Sequence, residues 1–245
     1  MVEQGQTQDF AGFEAGRDIS AWWWLGVPVA ALVLLVAFSL GAPGIYARWI
    51  ESEQGLLELS HVLIPVAAMI VALRTLVAPT VRRSSGLVLW LALAALANFY
   101  VAGEEASWGQ HYLQWATPES WQAVNDQGET NLHNISSWFD QKPRLILELG
   151  VIIGGIVIPL ALRLRPALGR LPIAVIFPPL LCLPTAVLAE VTRLTERLPG
   201  IFGGDSLVFT RASEVQEFYF YLFVLLYLIA LRRRLLSEAP DRPTA

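Results

Sequence analysis

Apolar runs of about twenty residues recur along this chain, and no other feature limits its fold as strongly. A helix of roughly twenty apolar residues spans the hydrocarbon core of a bilayer. Six such runs are read at 22–40, 56–77, 86–114, 145–162, 172–191 and 215–231; the third is apolar to about Gly103 and is expected to continue as helix to Gln114. Of the 245 residues, 55% are hydrophobic and 16% charged, where a soluble domain carries about a quarter charged. A transmembrane β-barrel would instead show alternating segments of about ten residues. The expected fold is an all-α integral membrane protein with six transmembrane helices. It has a polar tail over 1–20, a short-helix outer loop over 115–143 and a second tail over 236–245.

Six spans put both termini and the two even-numbered loops on one side. That side carries 11 basic residues: Arg17, Arg74, Arg82, Arg83, Arg163, Arg165, Arg170, Arg232, Arg233, Arg234 and Arg242. The other carries 6: Arg48, Lys142, Arg144, Arg193, Arg197 and Arg211. Basic excess in short loops marks the cytoplasmic face, so both termini are expected in the cytoplasm and the protein in an inner (cytoplasmic) membrane. Residues 1–20 lack the basic start of a cleavable signal peptide. Lys142 is the only lysine among 17 basic residues, a composition typical of GC-rich bacterial genomes. Trp49, Trp108, Trp115, Trp121 and Trp138 fall at the outer face, where indole rings favour headgroup depth. Cys182 is the only cysteine, which excludes an internal disulfide and thiolate clusters. No basic stripe or motif points to nucleic acid.

Ionisable residues collect at the outer ends of the spans. Glu51, Glu53 and Glu58 open the second, Glu104 and Glu105 close the third, and Glu148 lies one turn into the fourth. Glu190 and Arg193 close the fifth, and Glu214 and Glu217 open the sixth; His61, His111 and His133 lie on the same side. Charge at a bilayer boundary is costly and marks a functional site by default. A polar chamber in the outer leaflet is expected. The loop 115–143 should fold over it as a lid, with one short helix from Thr117-Pro118-Glu119 to about Asp126 and a second over Asn131 to Phe139. Gly128 suits a left-handed turn between them. Prolines 172, 178, 179 and 184 must kink or break the fifth span. Gly150 and Gly154 suggest close helix packing, and Ser213 with Gln216 fits a capping box.

On an unbroken third helix Glu104, Trp108 and His111 share one face. Carboxylate and imidazole on one face can bind one divalent metal or act as general acid and base. They can equally be a hydrogen-bonded structural pair. Glu58-Leu59-Ser60-His61 has the Glu-x-x-His spacing of di-iron bundles, but these need two copies and further acids, so a single metal using Glu58, His61, Glu104 or His111 is the metal alternative. Glu190 and Arg193 suit a helix-end ion pair, although an Arg there could also hold a phosphate. Glu214 and Glu217, one turn apart, should either have the pKa of one raised by partial desolvation or share a cation or an Arg. No P-loop, G-x-S-x-G or H-E-x-x-H is present.

The segments Gly103-Glu104-Glu105-Ala106-Ser107-Trp108-Gly109-Gln110, Thr117-Pro118-Glu119 and Asn125-Asp126-Gln127-Gly128-Glu129-Thr130-Asn131-Leu132-His133-Asn134 carry a resemblance. The chain resembles a family of bacterial multi-pass inner-membrane proteins of uncharacterised activity, with GEE-x-SWGQ, TPE and N-x-QGETNLHN in that order. The resemblance implies a shared site of Glu104, Glu105, Trp108, Gln110, Asn125, Gln127, Glu129, Asn131, His133 and Asn134; His111 is not part of the pattern.

Three functional readings follow. The first is an enzyme of the outer leaflet, a hydrolase or transferase acting on a lipid-linked substrate such as a glycolipid. In it Glu104, Glu105 and His133 do the chemistry, while Trp108, Gln110, Glu129, Asn131, Asn134, Arg193, Glu214 and Glu217 bind. The second is an accessory or assembly subunit of a larger membrane complex, with the polar network structural. The third, a transporter, is disfavoured because the inner half is nearly free of ionisable groups.

Overall fold

The computed structural model describes residues 19–52, 55–125, 128–132, 135 and 137–237. Among these, every regular element is helical. Five helices are long and apolar enough to cross a membrane: α1 (Trp22–Gly41), α2 (Leu56–Leu76), α3 (Ser85–Glu105), α4 (Gln141–Leu164) and α6 (Ala212–Ser237). Between the last two lies the more polar α5 (Leu183–Ile201).

Helix α6 is the axis of the bundle. It packs on α2 and on α5, and α2 packs on α3. Tyr219, Phe220, Leu228 and Leu231 of α6 are all buried, as expected for a helix apolar around its whole circumference. Helix α1 is the opposite case, with Val33, Leu34 and Leu40 exposed. Between α2 and α3 the buried residues are often small, such as Ala68, Ala72, Ala95 and Ala102, which lets backbones approach where lipid supplies no hydrophobic drive. Helix α4 makes its close approach at Gly155, where a Cβ would lie 2.4 Å from Ala186 Cβ and 2.7 Å from Phe223 Cε2. Of the expected Gly150–Gly154 face, Gly154 does pack closely, a Cβ there lying 3.3 Å from Pro178 Cγ, whereas a Cβ at Gly150 would meet nothing within 4 Å.

The run at 172–191 is not one helix. Residues Pro172–Ile176 and Leu180–Cys182 form 3-10 turns, Phe177 and Pro179 are extended, and α-helix starts only at Leu183. Prolines 178 and 179 remove N–H donors, so carbonyls are left over. Helix α6 satisfies them: Arg234 Nη1 donates to Val175 O at 2.8 Å and Phe177 O at 3.0 Å, and Tyr227 Oη to Ile176 O at 2.8 Å. Irregular backbone is tolerated within a membrane only where protein or water meets its polar groups.

The third span also departs from expectation. Helix α3 ends at Glu105, and Ser107, Trp108 and Gly109 take φ of 44°, 54° and 102° before a short helical turn over Gln110–Leu113. Continuous helix to Gln114 is therefore wrong, and so is the single face built on it. Among the described residues of the loop before Ser137, the helical stretch is Glu119–Gln122, with Pro118 rather than Thr117 at the cap. Gly128 does take the left-handed φ, +68°. Asn131 and Leu132 are non-helical and the next helix starts at Ser137, because side chains take up the polar groups of Asn131 and Leu132 that a helix would use. Helix α6 starts at Ala212, so Ser213 is not its cap. Gln216 is buried beside Glu148 and Glu190 instead.

Candidate functional site

The first turns of α2, α4 and α6 and the last turn of α3 meet at one end of the bundle. At their centre is His61, with no solvent exposure. Its Nε2 lies 3.1 Å from the backbone carbonyl of Glu214. A carbonyl only accepts, so Nε2 carries the proton and Nδ1 faces away from that bond. Nδ1 lies 3.6 Å from Glu105 Oε2 and 3.7 Å from Glu214 Oε2, beyond hydrogen-bond reach, and has no other hydrogen-bond partner. The Tyr221 ring packs edge-on to the imidazole at 5.4 Å, and its hydroxyl donates to Glu105 Oε1 at 2.8 Å.

Two arginines flank the carboxylates. Arg211 reaches Glu214 at 2.8 Å and Glu58 at 3.7 Å, and its backbone N–H donates to Glu51 at 2.8 Å. Arg144 of α4 reaches Glu217 at 3.2 Å. Glu214 and Glu217 therefore each take their own Arg rather than sharing one. Among the described residues, two groups have ligand atoms close enough to hold a metal ion: Glu58, His61 and Glu214, and His61, Glu105 and Glu217. His111 belongs to neither, so the structure separates it from Glu58 and His61.

His111 sits instead in a second network that ties the loop to the end of α3. Its Nε2 is 2.9 Å from both Ser107 Oγ and Glu129 Oε1. Ser107 Oγ donates to Glu129 Oε2 at 2.6 Å, and Asn131 Nδ2 donates to Ser107 Oγ and to Glu129 Oε2. One imidazole nitrogen faces both serine and carboxylate, so no proton can be relayed across the ring as in a catalytic triad, and Ser107 is fully buried. Burial pushes the Glu129 carboxyl up, but the Ser107 and His111 hydrogen bonds, the His111 charge and Asn131 outweigh it and hold Glu129 below the usual carboxylate value.

The sequence motif reads as the parts of this lock. Glu104 accepts from Trp108 Nε1 at 2.7 Å and from the Leu132 N–H at 2.7 Å. Gly103 leaves room for the Trp108 ring, whose Cζ3 would lie 2.8 Å from a Cβ there. Asn125 accepts from the Glu129 N–H and donates to the Asn131 carbonyl, both at 2.9 Å. Gln110 accepts from the Thr130 N–H at 2.8 Å and donates to Thr117 at 2.6 Å. Glu129 and Asn131 thus face the loop's own anchor, not the chamber expected beneath it. Glu105 is the motif residue that reaches His61. His133, Asn134 and Gln127, with Glu53 of the approach to α2, lie outside the described residues.

A third group lies on α4 and α5. Arg197 pairs with Glu148 at 2.8 Å. Arg193 pairs with Glu196 rather than with Glu190 as expected, and Glu190 Oε1 is buried without a hydrogen-bond partner.

Next to the central cluster a cleft of about 420 Å3 runs between α3 and α4, with α6 as its floor. Trp90, Ala94 and Val101 form one wall, Leu147, Gly150 and Ile153 the other. The lining is almost wholly apolar. Of the α6 floor residues, Tyr221 is the one nearest the acidic end, and it is this side chain that bonds Glu105.

Sequence reasoning named Glu105, His61, Glu58, Glu214 and Glu217 but missed Tyr221, Arg144 and Arg211 as their partners. The basic residues on the acidic side were a visible signal; Tyr221, within an apolar run, was not. Searches of family models, curated proteins and solved structures returned no match to this chain.

Proposed function

We propose that this chain is an integral inner-membrane protein of the bacterial family its motif resembles, and that it acts on the polar head of a lipid as a hydrolase or transferase. The reading has the acidic end facing the outer leaflet, both termini in the cytoplasm, and the broken 172–201 segment as a sixth crossing. The observation that carries it is the apolar cleft ending at Tyr221, whose hydroxyl is bonded to Glu105. A site that takes a lipid chain and its head group needs an apolar slot continuous with charged groups, and pockets for small ligands run to about 300–1,000 Å3. Glu105 is then the acid–base or metal-holding residue at the head group, with His61 beside it. Arg211 and Arg144 would hold an anionic head group as guanidinium forks do. Glu104 is a positioning residue for the loop, and His133 remains a candidate second base.

The test is lipid profiling of a strain lacking the protein, complemented with wild type, Glu105→Gln or Gly150→Trp. Gly150→Trp fills the cleft from a position with free space around it. Wild type should restore the profile and both variants should fail at normal expression. Full restoration by both variants would sink the lipid reading. It would favour the second reading, an accessory subunit of a membrane complex, for which the hydrogen-bonded loop with exposed Trp115 and Trp138 is the supporting observation.

A further inference from the structure

We infer that His61, Glu105, Glu214 and the flanking Glu58 and Glu217 form a binding site for one divalent first-row cation, zinc or manganese. The inference deepens the lipid-enzyme reading of the same end of the bundle, but it stands on different geometry.

The first observation is the orientation of His61. A metal-bound imidazole typically donates its other N–H to a carbonyl or carboxylate, which fixes ring and tautomer. His61 Nε2 makes that bond to the Glu214 carbonyl. The remaining nitrogen, Nδ1, is fully buried, without a hydrogen-bond partner, and aimed between two carboxylate oxygens. Were His61 an imidazolium held by these carboxylates, its Nδ1–H would sit at about 2.7–2.9 Å from one of them. The separations are 3.6 and 3.7 Å. Donor atoms sharing an ion with bonds of about 2.0–2.2 Å stand roughly 3.0–3.5 Å apart, so an ion needs only a few tenths of an ångström of closure.

The second observation is the donor set. Among the described residues the carboxylates gather on the buried imidazole in two groups whose ligand atoms lie within 4.8 Å of one another, Glu58, His61 and Glu214, and His61, Glu105 and Glu217. One imidazole with carboxylate oxygens is a donor set for zinc or manganese rather than for a soft ion, which prefers sulfur.

The test uses the full chain in mild detergent, stripped with chelator, reloaded with Zn2+ or Mn2+ and desalted, with metal counted by mass spectrometry. Wild type and His111→Ala should each retain about one ion per chain, and His61→Ala should bind at least tenfold more weakly. Because His61→Ala could misfold, Co2+ is also titrated into wild type, where visible ligand-field bands of a nitrogen–oxygen site are expected. Loss of retained metal together with a featureless cobalt spectrum would overturn the proposal and leave His61 as the third cation of an ion-pair cluster. Equal retention by a folded His61→Ala would also overturn it, as an adventitious ion only. Neither readout involves lipid, so the metal site and the lipid reading can fail separately.

Discussion

Glu104 and Glu105 are neighbours on the last turn of α3, yet they belong to different regions. Glu104 turns to the loop, where both its oxygens accept N–H donors from Trp108 and Leu132. Glu105 turns inward to Tyr221 and His61, whose Nδ1 has no hydrogen-bond partner. The loop network is made of neutral amides, hydroxyls and a few charges whose bonds close on one another. The bundle-end cluster sets Glu58, Glu105, Glu214 and Glu217 around a buried imidazole, with Arg211 and Arg144 beside them. A closed network holds a shape; a buried nitrogen without a hydrogen-bond partner, set among carboxylates, is the feature on which the proposed site rests.

That contrast can be broken most directly at the two glutamates. Glu104→Ala leaves two donors without acceptors and is expected to cost about 3 kcal/mol, read as a lowered thermal midpoint in detergent. Glu105→Gln keeps an acceptor for Tyr221 and should change stability by less than about 1 kcal/mol while abolishing lipid turnover. Reversed results would mean the two regions have been assigned the wrong way round. Next in size, Asn125→Ala removes the acceptor of the Glu129 N–H and should destabilise the loop by about 2 kcal/mol, seen as faster proteolysis near Trp121 with metal content unchanged. Gly109→Ala is smaller. A φ of +102° disfavours any side chain, and a loss of about 1 kcal/mol is expected, again with metal content intact.

The smallest effect is one of pH. The folded Glu129 carboxyl lies below its ordinary value of 4.5. The stability it contributes is therefore complete above about pH 4.5 and is lost as pH falls through the lower folded value. Loop proteolysis should rise over that acidic window in wild type, and Glu129→Gln should flatten the dependence. A wild-type profile unchanged down through that window would show that the Glu129 charge does not help hold the loop.

Much of the fold was legible because it is local. The length of an apolar run decides whether a helix can cross a bilayer, and four of the expected spans correspond closely to helices at Trp22–Gly41, Leu56–Leu76, Gln141–Leu164 and Ala212–Ser237. The prolines announced the break at 172–182, and Gly128 its left-handed turn, since backbone conformation is a property of the residue itself. The third span misled because a helical wheel presumes an unbroken helix. The turn through Ser107, Trp108 and Gly109 sends His111 to Glu129, and the motif's many polar residues then looked like a site when most of them are the lock on a loop.

From the sequence alone came the membrane class, the gathering of acids and histidines at one end, and the residue types a metal or a head group would need. Tertiary structure decided which of two adjacent glutamates faces the cluster. It also made Tyr221 the link to the cleft and set Arg144 and Arg211 as the counter-charges. The physical reason is sequence separation. The bonds from Tyr221 to Glu105 and from His61 to the Glu214 carbonyl span 116 and 153 residues. Such bonds exist only once α6 has packed against the helices around it, and no periodicity within a single helix encodes them.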